Sequence, residues 1–229
     1  MKWEQFNIEW NSNIANIEEK TLLARKIAEK VKNGEVIGFG SGSTSYIATQ
    51  EIAKKIKEEG LDIIAIPTSY EIKILCNSLG IKTASIMEEK PDWCFDGTDE
   101  YNESGWLIKG RGAAMFKEKL NILNSKKVYI LADKTKYVEN LGSNYSVPVE
   151  CYPETFRYVK QKLMDIGAEE CVLRSAKGKD GPIITENNNF IIDAKFKNIK
   201  QSLEKDIKMI SGVVESGLFI GYDNIEILK

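Results

Sequence analysis

Glu35-Val36-Ile37-Gly38-Phe39-Gly40-Ser41-Gly42-Ser43-Thr44 reads as a short strand over Glu35–Phe39, a glycine- and serine-rich loop, and the entry to a helix over about 45–59 that stops at Gly60. A strand that feeds a helix through such a loop is the building unit of parallel α/β sheets. Upstream, the spacing of Leu23, Ile27 and Val31 predicts a helix from about Ile17 to Lys32, with Gly34 as its stop. Downstream the pattern repeats. Ile63–Ile66 reads as a strand, and Pro67-Thr68-Ser69 follows, with Ser69 placed to cap a helix through about Leu79 before Gly80. Lys82–Ile86 is a weaker strand. Trp93-Cys94-Phe95 delivers Asp96, Leu107-Ile108 delivers Lys109, and Val128–Leu131 delivers Ala132-Asp133. The fold class is therefore α/β, a Rossmann-like and mostly parallel sheet with helices on both faces. Ligands in such sheets bind beyond the carboxyl ends of the strands, where each of these loops lies.

The texture changes after Pro148. Glu154–Gly167 reads as a helix, Cys171–Ser175 as a strand, and Ile183–Glu186 with Phe190–Ala194 as a hairpin around Asn187-Asn188-Asn189. A helix over about 200–210 and a final strand at Gly217-Leu218-Phe219 follow. The expected division is a catalytic domain over 1–147, completed by 209–229, and a small α+β domain of ferredoxin-like type over 148–208. At the start, Trp3, Phe6 and Trp10 recur at helical spacing, as in a short amphipathic lead-in used for packing.

With 42% hydrophobic and 29% charged residues and a net charge of −2, the chain has the composition of a globular protein without a dedicated nucleic-acid or anionic-membrane surface. No stretch is long and apolar enough to span a membrane, and Met1–Trp10 lacks the apolar region of a signal peptide. A cytoplasmic location is expected. Cys76, Cys94, Cys151 and Cys171 form no CxxC pair and are expected to be small core residues; no metal site is expected. The sequence has no histidine, so acid–base chemistry near neutral pH falls to carboxylates, Lys, Tyr, Cys or water.

Three groups of residues carry chemistry. The loop Gly38–Thr44 is either a tight strand–helix turn or a cradle for a small phosphorylated metabolite, with donors from Ser41, Gly42, Ser43, Thr44 and the helix N-terminus. It has no P-loop lysine, and Ser43 stands where a dinucleotide fingerprint has its last glycine. Asp96 and Asp99, in Asp96-Gly97-Thr98-Asp99-Glu100, shape a turn or face a ligand; Lys109 so soon after them disfavours Mg²⁺. Glu118 shares a helical stripe with Ala114, Met115 and Ile122, while Phe116, Leu120 and Leu123 form a second apolar stripe and Lys117 and Lys119 flank it. Such a helix points Glu118 inward, either as a general base or as the partner of Lys109 or Lys119. Lys20 and Lys136 are surface lysines or phosphate ligands.

Gly38–Thr44, Pro67-Thr68-Ser69, Phe95–Glu100, Lys109–Lys119, Ala132-Asp133-Lys134-Thr135-Lys136 and Gly217-Leu218-Phe219 together resemble type A ribose-5-phosphate isomerase, in order and spacing, over nearly the whole chain from about Lys20. The resemblance implies a cofactor-free homodimer that interconverts ribose 5-phosphate and ribulose 5-phosphate through an ene-diolate. It implies Glu118 as the base, Asp96 as an aid to ring opening, and Asp99 and Lys109 as partners of the sugar hydroxyls and ring oxygen. Ser41, Ser43, Thr44, Lys20 and Lys136 match phosphate-binding positions. The backbone N–H groups of Gly110, Arg111 and Gly112 are expected to serve as an oxyanion site. The alternatives are an isomerase of another phosphorylated aldose and a non-catalytic sugar-phosphate sensor; a CoA-transferase-like reading is weaker.

Three departures from the family pattern are expected to matter. Arg111 stands where glycine is usual and Thr98 where alanine is usual. If residue 111 needs a positive φ, an arginine there is strained. The third is a short C-terminal part with about a dozen extra N-terminal residues, expected to affect the dimer contacts.

Overall fold

The computed structural model describes Trp10 and residues 13–229. Of the aromatic lead-in, Trp3 and Phe6 lie outside the described residues. Trp10 is half-buried, and its ring centre is 5.2 Å from that of Tyr46. The helices are α1 (Ile17–Glu29), α2 (Gly42–Glu59), α3 (Tyr70–Ser78), α4 (Met115–Asn124), α5 (Phe156–Asp165) and α6 (Leu203–Lys208). The strands in the first half are β1 (Val36–Phe39), β2 (Ile64–Pro67), β3 (Lys82–Thr83), β4 (Trp93–Gly97), β5 (Glu100–Tyr101), β6 (Leu107–Ile108) and β7 (Lys127–Leu131). Those in the second half are β8 (Val147–Cys151), β9 (Ala168–Leu173), β10 (Phe190–Phe196), β11 (Val213–Ser216), β12 (Leu218–Phe219) and β13 (Ile225–Leu228).

Contacts divide the chain into two units. One comprises Met1–Gly97, Lys117–Lys134 and Asn224–Lys229; the other comprises Thr98–Phe116 and Thr135–Asp223. These differ from the boundaries expected at 148 and 208. The reason is that β6 pairs with β5 and with β12, in a sheet separate from the parallel one, and these strands take their flanking loops with them.

In the first unit a six-stranded sheet has the order β13-β7-β4-β1-β2-β3, and all its pairings are parallel. Ile37, Gly38 and Phe39 of β1 are buried in succession, as expected of a central strand with both faces covered. The order reverses between β1 and β4, which is where doubly wound sheets bind ligands. Phe39 is in register with Phe95, and their rings lie 4.9 Å apart. This register sets Gly40, the first residue beyond β1, beside Asp96, which is still paired within β4.

In the second unit β11-β8-β10-β9 form an antiparallel sheet and β12-β6-β5 a smaller one. Val149, Val159, Leu163, Ile192 and Ile207 are fully buried in one apolar cluster there. β8 was not expected, because Pro148 cannot donate to a ladder and interrupts the apolar run. The expected hairpin is replaced by a tight turn, with Asn188 at φ 61° and Thr185 N–H donating to the Asn189 carbonyl at 3.0 Å. Residues 183–186 form no strand, and β10 pairs instead with β8 and β9. Leu218-Phe219 does form a strand, but β13 beyond it is the one that joins the parallel sheet, beside β7.

All four cysteines are buried and free. Burial pushes the Cys76 thiol up to about 12 and the Cys151 thiol up to about 11, the latter helped by the charge of Glu150. A thiol whose folded pKa is raised leaves stability intact below its unfolded value of 9.0 and withdraws it as pH climbs towards about 12. The melting temperature should therefore fall on raising the pH above 9.0, and fall less steeply in Cys76→Ala. Equal slopes in thermal melts of the two proteins would show that this thiol has no part in alkaline unfolding.

Candidate functional site

The loop after β1 is built around a close contact. A Cβ at Gly40 would stand 2.2 Å from the Asp96 carboxyl carbon, so residue 40 must be glycine for Asp96 to hold its place. Asp96 is 2% exposed, and its Oδ1 accepts from the N–H of Ser41 at 3.2 Å and of Gly97 at 2.7 Å. Gly40 N–H donates to the Phe95 carbonyl at 2.9 Å, which locks the loop to β4. Asp96 therefore organises the turn as well as facing the switch point.

Ser41 precedes α2 but does not cap it with its hydroxyl. Thr68 donates to the Phe39 carbonyl at 3.1 Å, so the 2.6 Å contact between Ser41 and Thr68 is a donation from Ser41. Gly42 has φ +81°, a conformation that favours glycine. No acidic residue occupies the first turn of α2, and Lys20 Nζ reaches Ser43 Oγ at 2.9 Å. A helix N-terminus without acids and with a buried lysine at its mouth favours an anion. Thr68 was not singled out as a site residue, although its place in Pro67-Thr68-Ser69 at the end of β2 was the available signal.

α4 carries Glu118 inward. Met115, Ile122 and Glu118 are 0%, 1% and 5% exposed, which bears out the stripe expected from their spacing. The second stripe is not buried: Leu123 is 61% exposed, and Phe116 and Leu120 are half-buried. Lys119, expected to flank the helix, is buried. Asn121 anchors α4, donating from Nδ2 to the Ile66 carbonyl at 2.8 Å. A Cβ at Gly38 would meet Cys94 Cβ at 2.6 Å and Asn121 Nδ2 at 3.0 Å, so this glycine lets α4 sit against β1 and β4.

The first unit thus holds Lys20, Ser41, Gly42, Ser43, Thr44, Asp96 and Glu118, and the second holds Asp99, Lys109, Gly110, Arg111, Gly112 and Lys136. In the second, Asp99 N–H donates to the Ile108 carbonyl at 2.9 Å, and its Oδ2 accepts from Arg111 N–H at 3.1 Å. That N–H is occupied by Asp99, which removes it from the oxyanion site expected at Gly110-Arg111-Gly112. Arg111 is exposed and is not among the residues of positive φ; Gly110 at +102° and Ala113 at +61° take that conformation instead. The expected strain at Arg111 is absent. Thr98 shares its hydroxyl between the carbonyls of Glu100 and Ile108, at 2.7 and 2.9 Å, so it braces the turn. Glu100 is fully buried, with its carboxylate accepting from the N–H groups of Gly142 and Tyr145 at 2.6 and 2.8 Å.

Lys109 is 3% exposed, and its Nζ lies 6.0 Å from the centre of the Phe219 ring. Its N–H donates to the Gly217 carbonyl at 2.8 Å. A Cβ at Gly217 would meet the Lys109 carbonyl oxygen at 2.1 Å. The Gly217-Leu218-Phe219 segment is therefore what seats Lys109. Lys136, at the end of a short 3₁₀ turn, has its Nζ 5.8 Å from the Tyr145 ring centre.

Residues 64–228 match the family model described as Ribose 5-phosphate isomerase A (phosphoriboisomerase A). The chain belongs to this family. It is 39% identical over 204 residues to ribose-5-phosphate isomerase A of Methanothermobacter thermautotrophicus, covering 88% of this chain and 89% of that protein. Against the namesake of Archaeoglobus fulgidus it is 42% identical over 204 residues, covering 87% and 89%. The solved structure of ribose 5-phosphate isomerase A from Methanocaldococcus jannaschii superposes with a TM-score of 0.89 at 37% identity, over 93% of this chain and 95% of that one. A solved D-ribose-5-phosphate isomerase in complex with phospho-erythronic acid gives 0.88 at 34% identity, over 92% and 94%.

Gly217→Ala tests the seat of Lys109. Overpacking against backbone should lower stability by about 1–3 kcal/mol, read by denaturant unfolding, and depress turnover as Lys109 moves. A variant as stable and as active as the parent would show that β6 and β12 separate freely.

Proposed function

We propose that Glu118 is the general base of the reaction and that the remaining site residues bind and orient a sugar phosphate around it. The chain is an aldose–ketose isomerase of the ribose 5-phosphate isomerase A family, interconverting ribose 5-phosphate and ribulose 5-phosphate. The observation that carries the proposal is a carboxylate 5% exposed on α4, in a chain with no histidine whose Cys76 and Cys151 thiols stay protonated at neutral pH. Carboxylates, lysines, tyrosines and water are left for the chemistry, and Glu118 is an inward-facing carboxylate among them.

In the aldose-to-ketose direction Glu118 takes the proton from C2 and the electrons pass to the C1 carbonyl oxygen, forming an ene-diolate. The proton returns to C1 and the O2 hydroxyl proton passes to O1, so atoms and charge balance. Lys109 offsets the negative charge that develops on oxygen, Asp99 holds sugar hydroxyls, and Asp96 assists ring opening. Ser41, Gly42, Ser43, Thr44, Lys20 and Lys136 hold the phosphate, whose binding energy orients C1 and C2. Arg111 contributes the N–H that orients Asp99, and the N–H groups of Gly110 and Gly112 serve the developing oxyanion. Among the described residues no group of three or more His, Cys, Asp or Glu could hold a metal ion, and no helix is long and apolar enough to cross a membrane. A cytoplasmic homodimer belongs to the same reading, and light scattering measures the oligomer.

Turnover of ribose 5-phosphate should continue with EDTA present, with exchange of the C2 proton into solvent. Glu118→Gln should lose at least about 10²-fold in kcat, within the range of a positioned base, and still bind substrate by calorimetry. Near-normal kcat in that variant refutes the base assignment. Binding without any C2 exchange in the parent protein would leave the non-catalytic sensor.

A further inference from the structure

The segment that follows Lys109 is held from both sides. On one side Arg111 N–H reaches Asp99 Oδ2 at 3.1 Å. On the other, Arg174 Nη1 donates to the carbonyls of Gly110 and Arg111, at 2.9 and 3.1 Å. The peptide between Gly110 and Arg111 is thereby fixed at each end. The opposite edge of the same guanidinium is gripped by Asp193, with Nε to Oδ2 at 2.8 Å and Nη2 to Oδ1. Arg174 follows β9 and Asp193 lies on β10; Arg174 N–H donates to the Ile191 carbonyl at 2.9 Å, and Ile183 N–H to the Arg174 carbonyl at 2.9 Å. The clamp therefore stands on β10 and on the residue directly after β9, which backbone bonding ties to β10.

As an ordinary ion pair Arg174–Asp193 would contribute little, since the two side chains are 17% and 29% exposed. Its geometry is more specific than that. A planar fork that spends one arm on two consecutive carbonyls and the rest on one carboxylate is a device for holding a peptide at a set height. The peptide in question needs holding, because it lies between Gly110 at φ +102° and Ala113 at φ +61°. Arg174 and Asp193 also line, with Asp99, Arg111, Tyr145 and Ser146, a cavity of about 250 Å³.

We infer that Arg174 and Asp193 are a positioning pair for the isomerase reaction. They set the Gly110–Arg111 peptide, and through its N–H they set the Asp99 carboxylate. This rests on the reading of Asp99 as a substrate-binding group. Neither residue touches the reacting atoms in this scheme.

A double-mutant cycle on kcat/KM tests the inference, using Arg174→Lys, Asp193→Asn and Asp99→Ala in the full chain, with ribose 5-phosphate as substrate. Lysine keeps the charge but not the fork. Arg174→Lys and Asp193→Asn should each cost about 10–100-fold, as small misplacements of substrate-holding groups do. In the Asp99→Ala background the same changes should cost less than about twofold, because the group they position is gone. Full multiplication of the losses would overturn the inference, as would single variants within twofold of the parent protein. Failure of both single variants to fold would also overturn it, since the pair would then be a folding element. If the unaltered protein does not turn over ribose 5-phosphate, the proposed function fails first, which separates the two outcomes.

Discussion

The Asp96 carboxyl occupies the space in which any side chain at residue 40 would stand, and much of the first unit follows from that exchange of volume. With Gly40 bare, Asp96 reaches the N–H groups of Ser41 and Gly97, although β4 runs two residues beyond the end of β1. The turn held in this way leads directly into α2, with its N-terminal backbone facing the switch point. Gly38 repeats the device one layer lower, admitting Asn121 and so allowing α4 to lie close. Two absent side chains thus decide where α2 begins and how deep Glu118 sits.

Carboxylates in this protein organise backbone. Asp96 gathers two N–H groups, Asp99 takes that of Arg111, and Glu100 closes the turn at 142–145. Asp96 and Glu100 thereby satisfy donors that would otherwise be costly to bury, whereas the bond to the exposed Arg111 orients Asp99. The consequence for mechanism is that Asp99 has a fixed orientation before substrate arrives, which is what electrostatic preorganisation requires.

The parallel sheet was legible because Val36–Phe39, Ile64–Pro67 and Trp93–Gly97 are short apolar runs ended by glycine, proline or acid. Glu118 was legible from its spacing to Met115 and Ile122. What escaped had physical reasons. β8 contains Pro148, and β5 and β6 are two residues each, too short for any period to show. The hairpin failed because alternation within 183–186 carries no information about which strand will pair with 190–196. Arg111 was read through the residue usual at its position, whereas the positive φ falls on Gly110 and Ala113. Arg174 and Asp193 carry no local motif, and only the pairing of β9 with β10 makes them neighbours.

β13 pairs with β7 over Ile225–Leu228, and Gly217 closes on Lys109. Both closures join segments separated by about a hundred residues or more of chain. During synthesis, which proceeds from the N-terminus, β7 and β6 must therefore wait with open hydrogen-bonding edges while the intervening residues are made. A nascent chain carrying Lys109 would still lack the Gly217 segment that seats it. Completion of both sheets is thus a late event in the birth of the molecule, and the waiting edges are the surfaces that need protection from pairing with other chains.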